Sequence, residues 1–465
     1  MGAYIEYAKG GTDLRTKGTI SCWVKRSELG REQYVWGWGE NNSSDAYLRF
    51  DAADNLEMHC DGADGTFNST RLFRDTNAWY HIVFSLDGAN ATANLRRRLW
   101  VNGVQIDEGK SGISTFSAAV MGWHSTQDLW IGANPRQQQS SGHAYFNGLI
   151  SHFHYCSNNS YAASDFGETD SVTGEWKIKT NPSVNYGSEG FFLKMENSAN
   201  MDLDSSSNNK TLTTTGTVTA TIDNPSNIFA TMNPLGTYDG TLANGNTQVQ
   251  TNQTNYRYIA SSLGVNKGKY YWEVKLETLA NYMICGITDQ PSWTQASADS
   301  VVMLGNGTYD CAIYTGDQSA GGGNGHLYHS STSNASNTNT PGAHMSALGN
   351  GNILTFALDL DSPTKKLYIG ENGNWANGSG STNQSFASAS GISIVVPQNT
   401  NTGHYFPACG DYSGTNGVWQ YNFGNGYFGT TAVSSAGTNA SGNGIFEYDV
   451  PAGYTALCTK GINSF

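Results

Sequence analysis

The sequence is poor in charged residues and in proline, and it has no long hydrophobic run. Of its 465 residues, 14% are charged and 10 are proline, whereas 55 are glycine. No segment approaches the roughly 18 consecutive apolar residues of a transmembrane helix, so we expect no membrane insertion. The first residues, Met1–Glu6, also lack the basic start and the apolar segment of a signal peptide. The low charge argues against intrinsic disorder, and 12% aromatic residues supply apolar area for packed cores.

Positive charge is scarce as well. The chain contains 25 lysine and arginine residues and 38 aspartate and glutamate residues, which gives a formal net charge of -13 at pH 7. One basic run, Arg96–Arg98, stands isolated beside a predicted hairpin. Because nucleic acids are bound by basic faces, we expect no nucleic-acid partner.

The 7 cysteines form no recognisable metal or redox motif. They are widely spaced and no C-x-x-C motif occurs, so the sequence supports neither a zinc ribbon nor a thioredoxin-like site. We expect buried free thiols in a protein that folds in a reducing cytoplasm.

Catalytic motifs are missing too. The sequence contains no G-x-S-x-G motif, and Gly321–Gly325 lacks the lysine and the helix of a phosphate-binding loop. A retaining glucanase carries paired acids at alternate positions of one strand, and no such run occurs. Glu273 and Glu277 share a strand face with Lys275 between them, and we interpret them as a solvated face with screened charge. The sequence therefore predicts that the protein is not an enzyme.

The sequence is instead rich in the period-two alternation of β-strands. Ile20, Cys22 and Val24 share one strand face, and residues 354–360 form another apolar row. Asn102-Gly103, between the apolar residues of segment 99–106, predicts a two-residue hairpin turn. No helix longer than one or two turns is predicted. Strands of this kind bury one side against a second sheet, so we expect antiparallel sandwiches.

The composition divides the chain into two such sandwiches. Alternation fills residues 1–196, a polar and turn-rich segment follows at 197–235, and alternation resumes over residues 236–465. We interpret the middle segment as a linker with one or two returning strands. Residues 315–345 are too polar to pack and predict a surface excursion.

Four motifs of the first half occur in a characteristic order. Thr19–Arg26 reads TISCWVKR, Ala78–Val83 reads AWYHIV, Leu99–Val104 reads LWVNGV, and Phe146–Ile150 reads FNGLI. In sequence, order and spacing they resemble the strands of laminin-G/concanavalin-like domains. The resemblance covers about residues 1–220.

The second half carries a different set of motifs. The segments are Lys267–Val274 (KGKYYWEV), Ile353–Asp361, Leu367–Ile369, the turn Glu371–Gly373, Tyr405–Ala408 (YFPA), Tyr421–Gly424 (YNFG) and Pro451–Thr459. Together they resemble the strands of SPRY domains. One departure is Asn350-Gly351-Asn352, which replaces the usual Gly-Asp before a strand.

The tandem order of these two halves, with the closing motif G-Y-x-A-L-C-T, resembles virion proteins of tailed, marine-type bacteriophages. The resemblance implies an all-β fold of two tandem antiparallel β-sandwiches, a concanavalin-like jelly roll followed by a SPRY-type sandwich. It implies a place on the virion surface after assembly in the host cytoplasm, with other virion proteins as partners. No active-site residues come with it. We also expect a homo-oligomer, because copies on one particle bind with avidity.

Aromatic residues in polar loops are the candidate ligand contacts. Trp293, Tyr314, Tyr328 and Trp375 stand among Ser, Asn, Gly and Thr, a setting similar to antibody paratopes. The alternative is that these loops cap their own sandwich. A second stripe, Tyr34, Trp36 and Trp38, falls on one side of a strand, and we interpret it as core and not as a sugar platform.

Two groups could bind a metal ion. His152 and His154 would lie on one strand face, but no third ligand is identifiable, so we favour a pair of outer-face histidines with Phe153 packed inward. Calcium is better motivated, because laminin-G-like sandwiches sometimes bind it at a rim. The oxygen ligands would be Asp51, Asp54, Asp61 and Asp64, although Asp-Gly turns look the same. We expect no other cofactor.

The predicted function is a non-enzymatic phage virion surface protein, a decoration, spike or fibre-tip adhesin. It would bind a host surface glycan, neighbouring virion subunits, or both. One alternative is a depolymerase or glycosidase that degrades host polysaccharide. Another is a purely structural protein that cements capsid or tail subunits.

Overall fold

The chain forms two compact units of β-strands. In the computed structural model, the described residues are 2–9, 16–39, 46–60, 66–107, 128–135, 145–236, 240–251, 257–290, 304–305, 307–315, 326–329, 348–376, 385–411 and 416–465. Unit 1 comprises Met1–Ala220 and Asn224–Ser226, and unit 2 comprises Thr221–Asp223 and Asn227–Phe465. Within the described residues no helix is long and apolar enough to span a membrane.

Unit 1 is a sandwich of two antiparallel sheets. In spatial order, the described strands of its seven-stranded sheet are β15 (Thr213–Thr215), β1 (Tyr4–Tyr7), β10 (Leu129–Ile131), β3 (Gln33–Trp38), β4 (Ala46–Phe50), β5 (Asn55–Cys60) and β6 (Thr66–Leu72). Those of its six-stranded sheet are β14 (Phe191–Leu193), β11 (Gly148–Ser157), β2 (Lys17–Arg26), β7 (Trp79–Asp87), β8 (Arg97–Val101) and β9 (Val104–Ile106). A separate hairpin consists of β12 (Gly167–Thr169) and β13 (Trp176–Ile178).

The core of unit 1 lies between these sheets, as the alternation predicts. Ile20, Cys22 and Val24 of β2 all point into it, opposite Trp36 and Trp38 of β3. The outer face of the six-stranded sheet is covered by segment 160–186, whose aromatic side chains pack on it. The strand β15, which belongs to the predicted 197–235 linker, pairs with β1.

The predicted hairpin around Asn102-Gly103 is confirmed. Leu99 pairs with Ile106 and Val101 with Val104, and both turn residues have positive φ, 47° for Asn102 and 78° for Gly103. Such a turn needs two left-handed residues, which asparagine and glycine adopt at low cost. Val104 is 57% exposed at the sheet edge, although the register places it on the same face as the buried Leu99, Val101 and Ile106.

Unit 2 is a second sandwich. In spatial order, the described strands of its larger sheet are β16 (Thr241–Ala243), β17 (Gln248–Gln250), β28 (Val418–Asn422), β19 (Lys269–Thr278), β23 (Ile353–Asp359), β24 (Lys366–Glu371) and β25 (Asn374–Trp375), with β26 (Ile392–Ser393) paired to β24 and β31 (Thr455–Ala456) paired to β19. Those of the smaller sheet are β18 (Arg257–Ala260), β27 (Phe406–Asp411), β20 (Ile284–Thr288), β21 (Cys311–Tyr314) and β22 (His326–His329). Unit 2 also contains β29 (Tyr427–Phe428), β30 (Thr431–Ala432), the helix α1 (Thr459–Ile462) and short 3-10 turns at Phe386–Ser388 and Pro397–Asn399. The 3-10 turns at Ala93–Leu95 and Ala163–Asp165 belong to unit 1.

The all-β sandwich class is therefore confirmed, and the row Leu354, Phe356 and Leu358 lies in the core of unit 2. Of the predicted surface excursion at 315–345, the structure describes Thr315 and β22, and the rest lies outside the described residues. Segment 434–458 covers the outer face of the larger sheet, where Phe446 and Tyr454 pack against Tyr271 and its neighbours.

Candidate functional site

Two of the four predicted contact aromatics are buried. Tyr314 in β21 is 7% exposed within an apolar cluster on the outer face of the smaller sheet, and Trp375 in β25 is 5% exposed beside Tyr271. The expectation that these two side chains are exposed is wrong, because other parts of the chain cover the strand positions they occupy. Tyr328 lies in β22, and Trp293 lies outside the described residues.

The predicted calcium ligands are engaged in other contacts where the structure describes them. Asp51 Oδ1 accepts hydrogen bonds from the amides of Ala53 (2.9 Å) and Asn55 (2.8 Å), which is the Asp-turn alternative. Asp54 is 3% exposed and bonds two arginines. Asp61 and Asp64 lie outside the described residues, and the described part of the chain contains no group of three metal-ligating side chains.

Asp54 instead stabilises the fold of unit 1. Its carboxylate accepts bonds from Arg26 Nη2 (3.1 Å), Arg74 Nε (2.9 Å) and the Gly30 amide (2.8 Å). Although burial alone raises the pKa of Asp54, these donors outweigh it and lower the pKa below its usual range. Arg26 is fully buried, with its guanidinium 4.4 Å from the centre of the Phe50 ring.

Replacing Asp54 with asparagine is expected to lower the free energy of unfolding of unit 1 by about 3–5 kcal/mol, because a buried guanidinium loses its counter-charge. Asparagine keeps the shape and tolerates the φ of 68° at this position. Urea unfolding at neutral pH measures the loss. The control Asp51→Asn changes a partly exposed turn and is expected to cost about 1 kcal/mol or less. Equal losses would contradict the role of the Arg26–Asp54 pair.

The two histidines that were candidate metal ligands also make contacts with other side chains. His154 is buried against Phe192, with ring centres 3.9 Å apart, and its Nδ1 lies 3.0 Å from the Tyr186 hydroxyl. His152 Nδ1 lies 2.7 Å from Ser151 Oγ. Burial lowers the pKa of His152 to about 4 and that of His154 well below its usual value, so both rings are neutral at pH 7.

Glu273 does not lie on a solvated face. It is fully buried under segment 434–458, so the interpretation of Glu273 as a screened surface charge is wrong. Its carboxylate accepts bonds from the amides of Glu447 and Tyr448 (both 2.9 Å), from Asn422 Nδ2 (3.2 Å) and from the Tyr271 hydroxyl (2.9 Å). Glu277, by contrast, pairs with Lys275 at 2.6 Å and is 43% exposed.

One buried pair looks like a nucleophile and its base. Ser21 Oγ lies 2.9 Å from His81 Nε2, but the group facing Nδ1 is the indole N–H of Trp176, at 3.0 Å. An indole N–H only donates hydrogen bonds, so it cannot stabilise the imidazolium ion that forms in a catalytic triad. Burial lowers the pKa of His81 to about 3, and Trp23 stacks on the ring at 4.7 Å. The pair is a packing element of unit 1.

Residues from all seven described strands line up across the outer face of the seven-stranded sheet. Neighbouring residues, one from each strand, are Thr213, Glu6, Trp130, Gly37, Tyr47, His59 and Thr66. Their sequence neighbours point into the core, so the row lies on the opposite face. At about 4.8 Å between strands, seven strands make the row about 29 Å long. We call these residues the outer row.

Arg49 lies at the centre of a group of polar contacts at one end of this face. Its guanidinium contacts Glu32, Glu57 Oε2 (3.0 Å) and the Tyr34 hydroxyl (3.0 Å). Tyr47 donates to Glu57 Oε1 at 2.8 Å, and its ring stacks on His59 with centres 5.0 Å apart. The arginine is 19% exposed and Glu32 is 37% exposed, so polar groups reach the surface beside aromatic rings held in fixed positions.

A β-bulge brings Tyr34 to this face. The register of β3 against β4 shifts between Tyr34 and Trp36, so Tyr34 lies opposite Arg49 while Trp36 lies opposite Leu48 in the core. The core interpretation is confirmed for Trp36 and Trp38, which are fully buried. The placement of Tyr34 on their side of the strand is wrong, because a bulge reverses the direction of every side chain beyond it.

The other end of the outer row is aromatic and acidic. The rings of Tyr4 and Trp130 stack with centres 3.9 Å apart and planes within 15°. Burial and the hydrogen-bonded, negatively charged neighbour Asp128 raise the pKa of Glu6. Glu6 therefore holds a proton more readily than an isolated glutamate. The alternation of segments 46–50 and 55–60 in the sequence was the signal that could have identified the outer row.

Comparisons with known proteins address the first half most directly. Residues 2–158 match a laminin-G family model described as the Concanavalin A-like lectin/glucanases superfamily. This match supports the predicted laminin-G-like domain. No curated protein sequence matches the chain.

Three solved structures illustrate the fold similarity. The SPRY domain of human HERC1 is 15% identical, with 41% of this chain and 96% of that chain covered and a TM-score of 0.27. Domains LG4-5 of the mouse laminin alpha1 chain are 11% identical over 98% of this chain and 84% of that chain, with a TM-score of 0.27. A Ruminococcus gnavus sialidase module, CBM40 bound to alpha2,3 sialyllactose, is 16% identical over 35% of this chain and 92% of that chain, with a TM-score of 0.24.

Proposed function

We propose that unit 1 binds a carbohydrate on the outer row and does not cleave it. The observation that carries this proposal is the end of the row where the partly exposed His59 ring stacks on the largely buried Tyr47, beside the guanidinium of Arg49. Ligand-binding sites combine aromatic surfaces with a few fixed polar groups. A sugar packs its apolar C–H faces on the aromatic rings and forms hydrogen bonds to the polar groups through its hydroxyls. The description of the matching family model, which includes lectins, supports the same ligand class.

The charges on this face favour a neutral glycan. Arg49 is compensated by Glu32 and Glu57, and the Glu6–Asp128 pair adds negative charge at the other end. The whole chain carries a formal charge of -13, which repels polyanions. Uncharged oligosaccharides are therefore expected to bind more tightly than sialylated or sulfated ones of equal length.

Replacing His59 with alanine tests this site. The variant removes a partly exposed ring that stacks on Tyr47, and we expect about tenfold weaker binding of neutral oligosaccharides, equivalent to about 1.4 kcal/mol. A glycan array identifies the sugar, and titration calorimetry measures the change. His404→Ala, which alters a partly exposed histidine of unit 2, is expected to bind like the unaltered protein. A folded His59→Ala variant with full affinity would place the site elsewhere.

One observation keeps the depolymerase alternative open to test. Glu6 and Asp128 are paired carboxyls beside Trp130, and the raised pKa of Glu6 suits a proton donor. Their direct hydrogen bond places them closer than the roughly 5–5.5 Å separation of a retaining glycosidase, so we favour binding without turnover. Reproducible release of reducing sugars from the glycan identified above, abolished in Glu6→Gln, would reverse this choice.

We also propose that the protein is displayed in several copies on a bacteriophage virion, with neighbouring virion subunits as partners. The support is the tandem order and the closing motif of the sequence, together with the gain that weak sites obtain from avidity. Gold-labelled antibody on intact virions tests the location. Labelled particles whose adsorption to cells is unaffected by the antibody would favour the cement role, and unlabelled particles would contradict the virion proposal.

A further inference from the structure

Two cysteines of unit 2 face each other across neighbouring strands. In the antiparallel pair of β20 and β27, Cys285 lies directly opposite Cys409. Both side chains belong to the core of unit 2 and are fully buried, and both are free thiols in the structure. The expected buried free thiols are thus confirmed, and this pair adds a relationship that the spacing of cysteines in the sequence does not reveal.

The geometry of this pair is compatible with a disulfide bond. Residues directly opposite in antiparallel strands have Cα atoms about 4.5–5.5 Å apart. That range lies inside the roughly 4.4–6.8 Å between the Cα atoms of disulfide-bonded cysteines. Both side chains point to the same face of the sheet, as a disulfide between directly opposite residues requires.

Among the described strand pairs, no other two cysteines lie directly opposite each other. Cys311 lies on the same face of the sheet, but it is opposite Ile287 on β20 and His329 on β22. Its relation to Cys285 is diagonal, with an expected Cα separation of about 7–8 Å, outside the disulfide range. In the described strand pairs and bridges, the remaining cysteines lie opposite residues of other types, as in Cys22 opposite Ile82, Cys60 opposite Ala46, Cys156 opposite Thr19 and Cys458 opposite Phe229.

We propose that Cys285 and Cys409 are a modification site, at which oxidation forms a cross-strand disulfide between β20 and β27. The oxidant is a small disulfide such as oxidised glutathione. The thiolate of one cysteine attacks it, forms a mixed disulfide and releases one molecule of thiol. The second cysteine then attacks the protein-bound sulfur, closes the Cys285–Cys409 bond and releases a second thiol. Two protein thiols are oxidised and one disulfide is reduced to two thiols.

Burial determines when this reaction takes place. Both thiols are inaccessible in the folded unit, and burial also raises their pKa, so the exchange occurs before the two sheets close or during opening of β20 from β27. Once formed, the bond is shielded from reductants. The two cysteines are far apart in sequence, so the bond restricts the unfolded chain and stabilises unit 2.

The experiment is refolding of the full chain from denaturant, either in reduced and oxidised glutathione or in excess reductant. After oxidative refolding we expect two fewer titratable thiols than the 7 of the reduced protein, one linked peptide pair containing Cys285 and Cys409, and a higher denaturant midpoint for unit 2. Peptide mapping of the unaltered protein needs no variant. A folded protein that retains every thiol, or a linkage that includes Cys311, would overturn the proposal.

Matched variants separate this bond from general oxidation. Cys409→Ala is expected to keep the same thiol count under both conditions and to lose the shift in midpoint. Cys311→Ala, from the same face of the same sheet, is expected to keep both the loss of two thiols and the shift. A shift that persists in Cys409→Ala would contradict the assignment.

Discussion

Acidification from pH 7 to pH 5 is expected to destabilise unit 1 and to stabilise unit 2. In unit 1, three buried histidines of the six-stranded sheet stay neutral in the folded state, with the pKa of His81 lowered to about 3 and that of His152 to about 4. Burial and the neighbouring His152 and His81 lower the pKa of His154 as well. In the unfolded chain all three protonate near 6.5, the ordinary value.

The sign of the effect in unit 1 follows from proton binding. Between about pH 6.5 and pH 4 the unfolded chain binds protons that the folded unit does not, so the free energy of unfolding falls as the pH falls. From pH 7 to pH 5 the loss is about 2 kcal/mol for each histidine, or about 4 kcal/mol for His81 and His152 together. His154 adds to the loss in the same direction.

Unit 2 responds in the opposite direction. Burial raises the pKa of Glu273 to about 7 and that of Asp310 to about 6, above the ordinary values of 4.5 and 3.8. The folded unit therefore binds protons before the unfolded chain does, and unit 2 gains about 3 kcal/mol between pH 7 and pH 5. The Tyr271 hydroxyl makes protonation of Glu273 feasible, because a hydroxyl that donates to a carboxylate can turn and accept from a carboxylic acid.

Hydrogen exchange read separately in the two units measures this divergence. Peptides from β11 are expected to lose protection between pH 7 and pH 5, after correction for intrinsic exchange rates, while peptides from β19 gain it. His81→Gln removes one titrating group and is expected to reduce the pH dependence of unit 1, whereas His404→Gln in unit 2 leaves unit 1 unchanged. Parallel changes in the two units would contradict the assignment of these buried groups.

Replacing Glu273 with alanine is expected to destabilise unit 2 by about 2–6 kcal/mol at pH 8, where the carboxylate is ionised. The change leaves the amides of Glu447 and Tyr448 without their acceptor in a buried setting, and each unpaired buried group costs about 1–3 kcal/mol. Segment 434–458 should then separate from the larger sheet before the rest of unit 2 unfolds. Chemical unfolding measures the loss, and proteolysis detects early cleavage in that segment.

Glu277 provides the matched control for this prediction. It lies on the same strand, but it is 43% exposed and pairs with Lys275 at the surface, so Glu277→Ala is expected to cost less than about 1 kcal/mol. Glu273→Gln keeps one acceptor oxygen and is expected to fall between the two. If Glu273→Ala and Glu277→Ala produced similar small losses, segment 434–458 would not depend on the buried carboxylate.

The candidate site shows where prediction from sequence was incomplete. The alternation of 46–50 and 55–60 contained Tyr47, Arg49, Glu57 and His59 at every second position, and this pattern alone assigns them to one strand face. It does not show that neighbouring strands align these residues with Trp130 and Glu6. That alignment depends on which strands are neighbours in the sheet. The distance between two strands along the sequence does not reveal whether they are neighbours.

The sequence by itself determined the class of the fold. Alternating apolar residues produce strands with one buried face, and the Asn102-Gly103 pair produces its hairpin because both residues accept left-handed backbone angles. These are local properties, set by the chemistry of a few consecutive residues. They sufficed to predict two sandwiches and to place Trp36 and Trp38 in the core.

Only the tertiary structure decided which outer faces are covered. Segment 434–458 buries Glu273, and the packing of unit 2 buries Tyr314 and Trp375, although all three occupy positions that local pattern assigns to the surface. A bulge within β3 moved Tyr34 away from the core. The physical reason is the same in each case: contacts between residues far apart in the chain fix the surroundings of a side chain, and a period of two residues specifies only its direction.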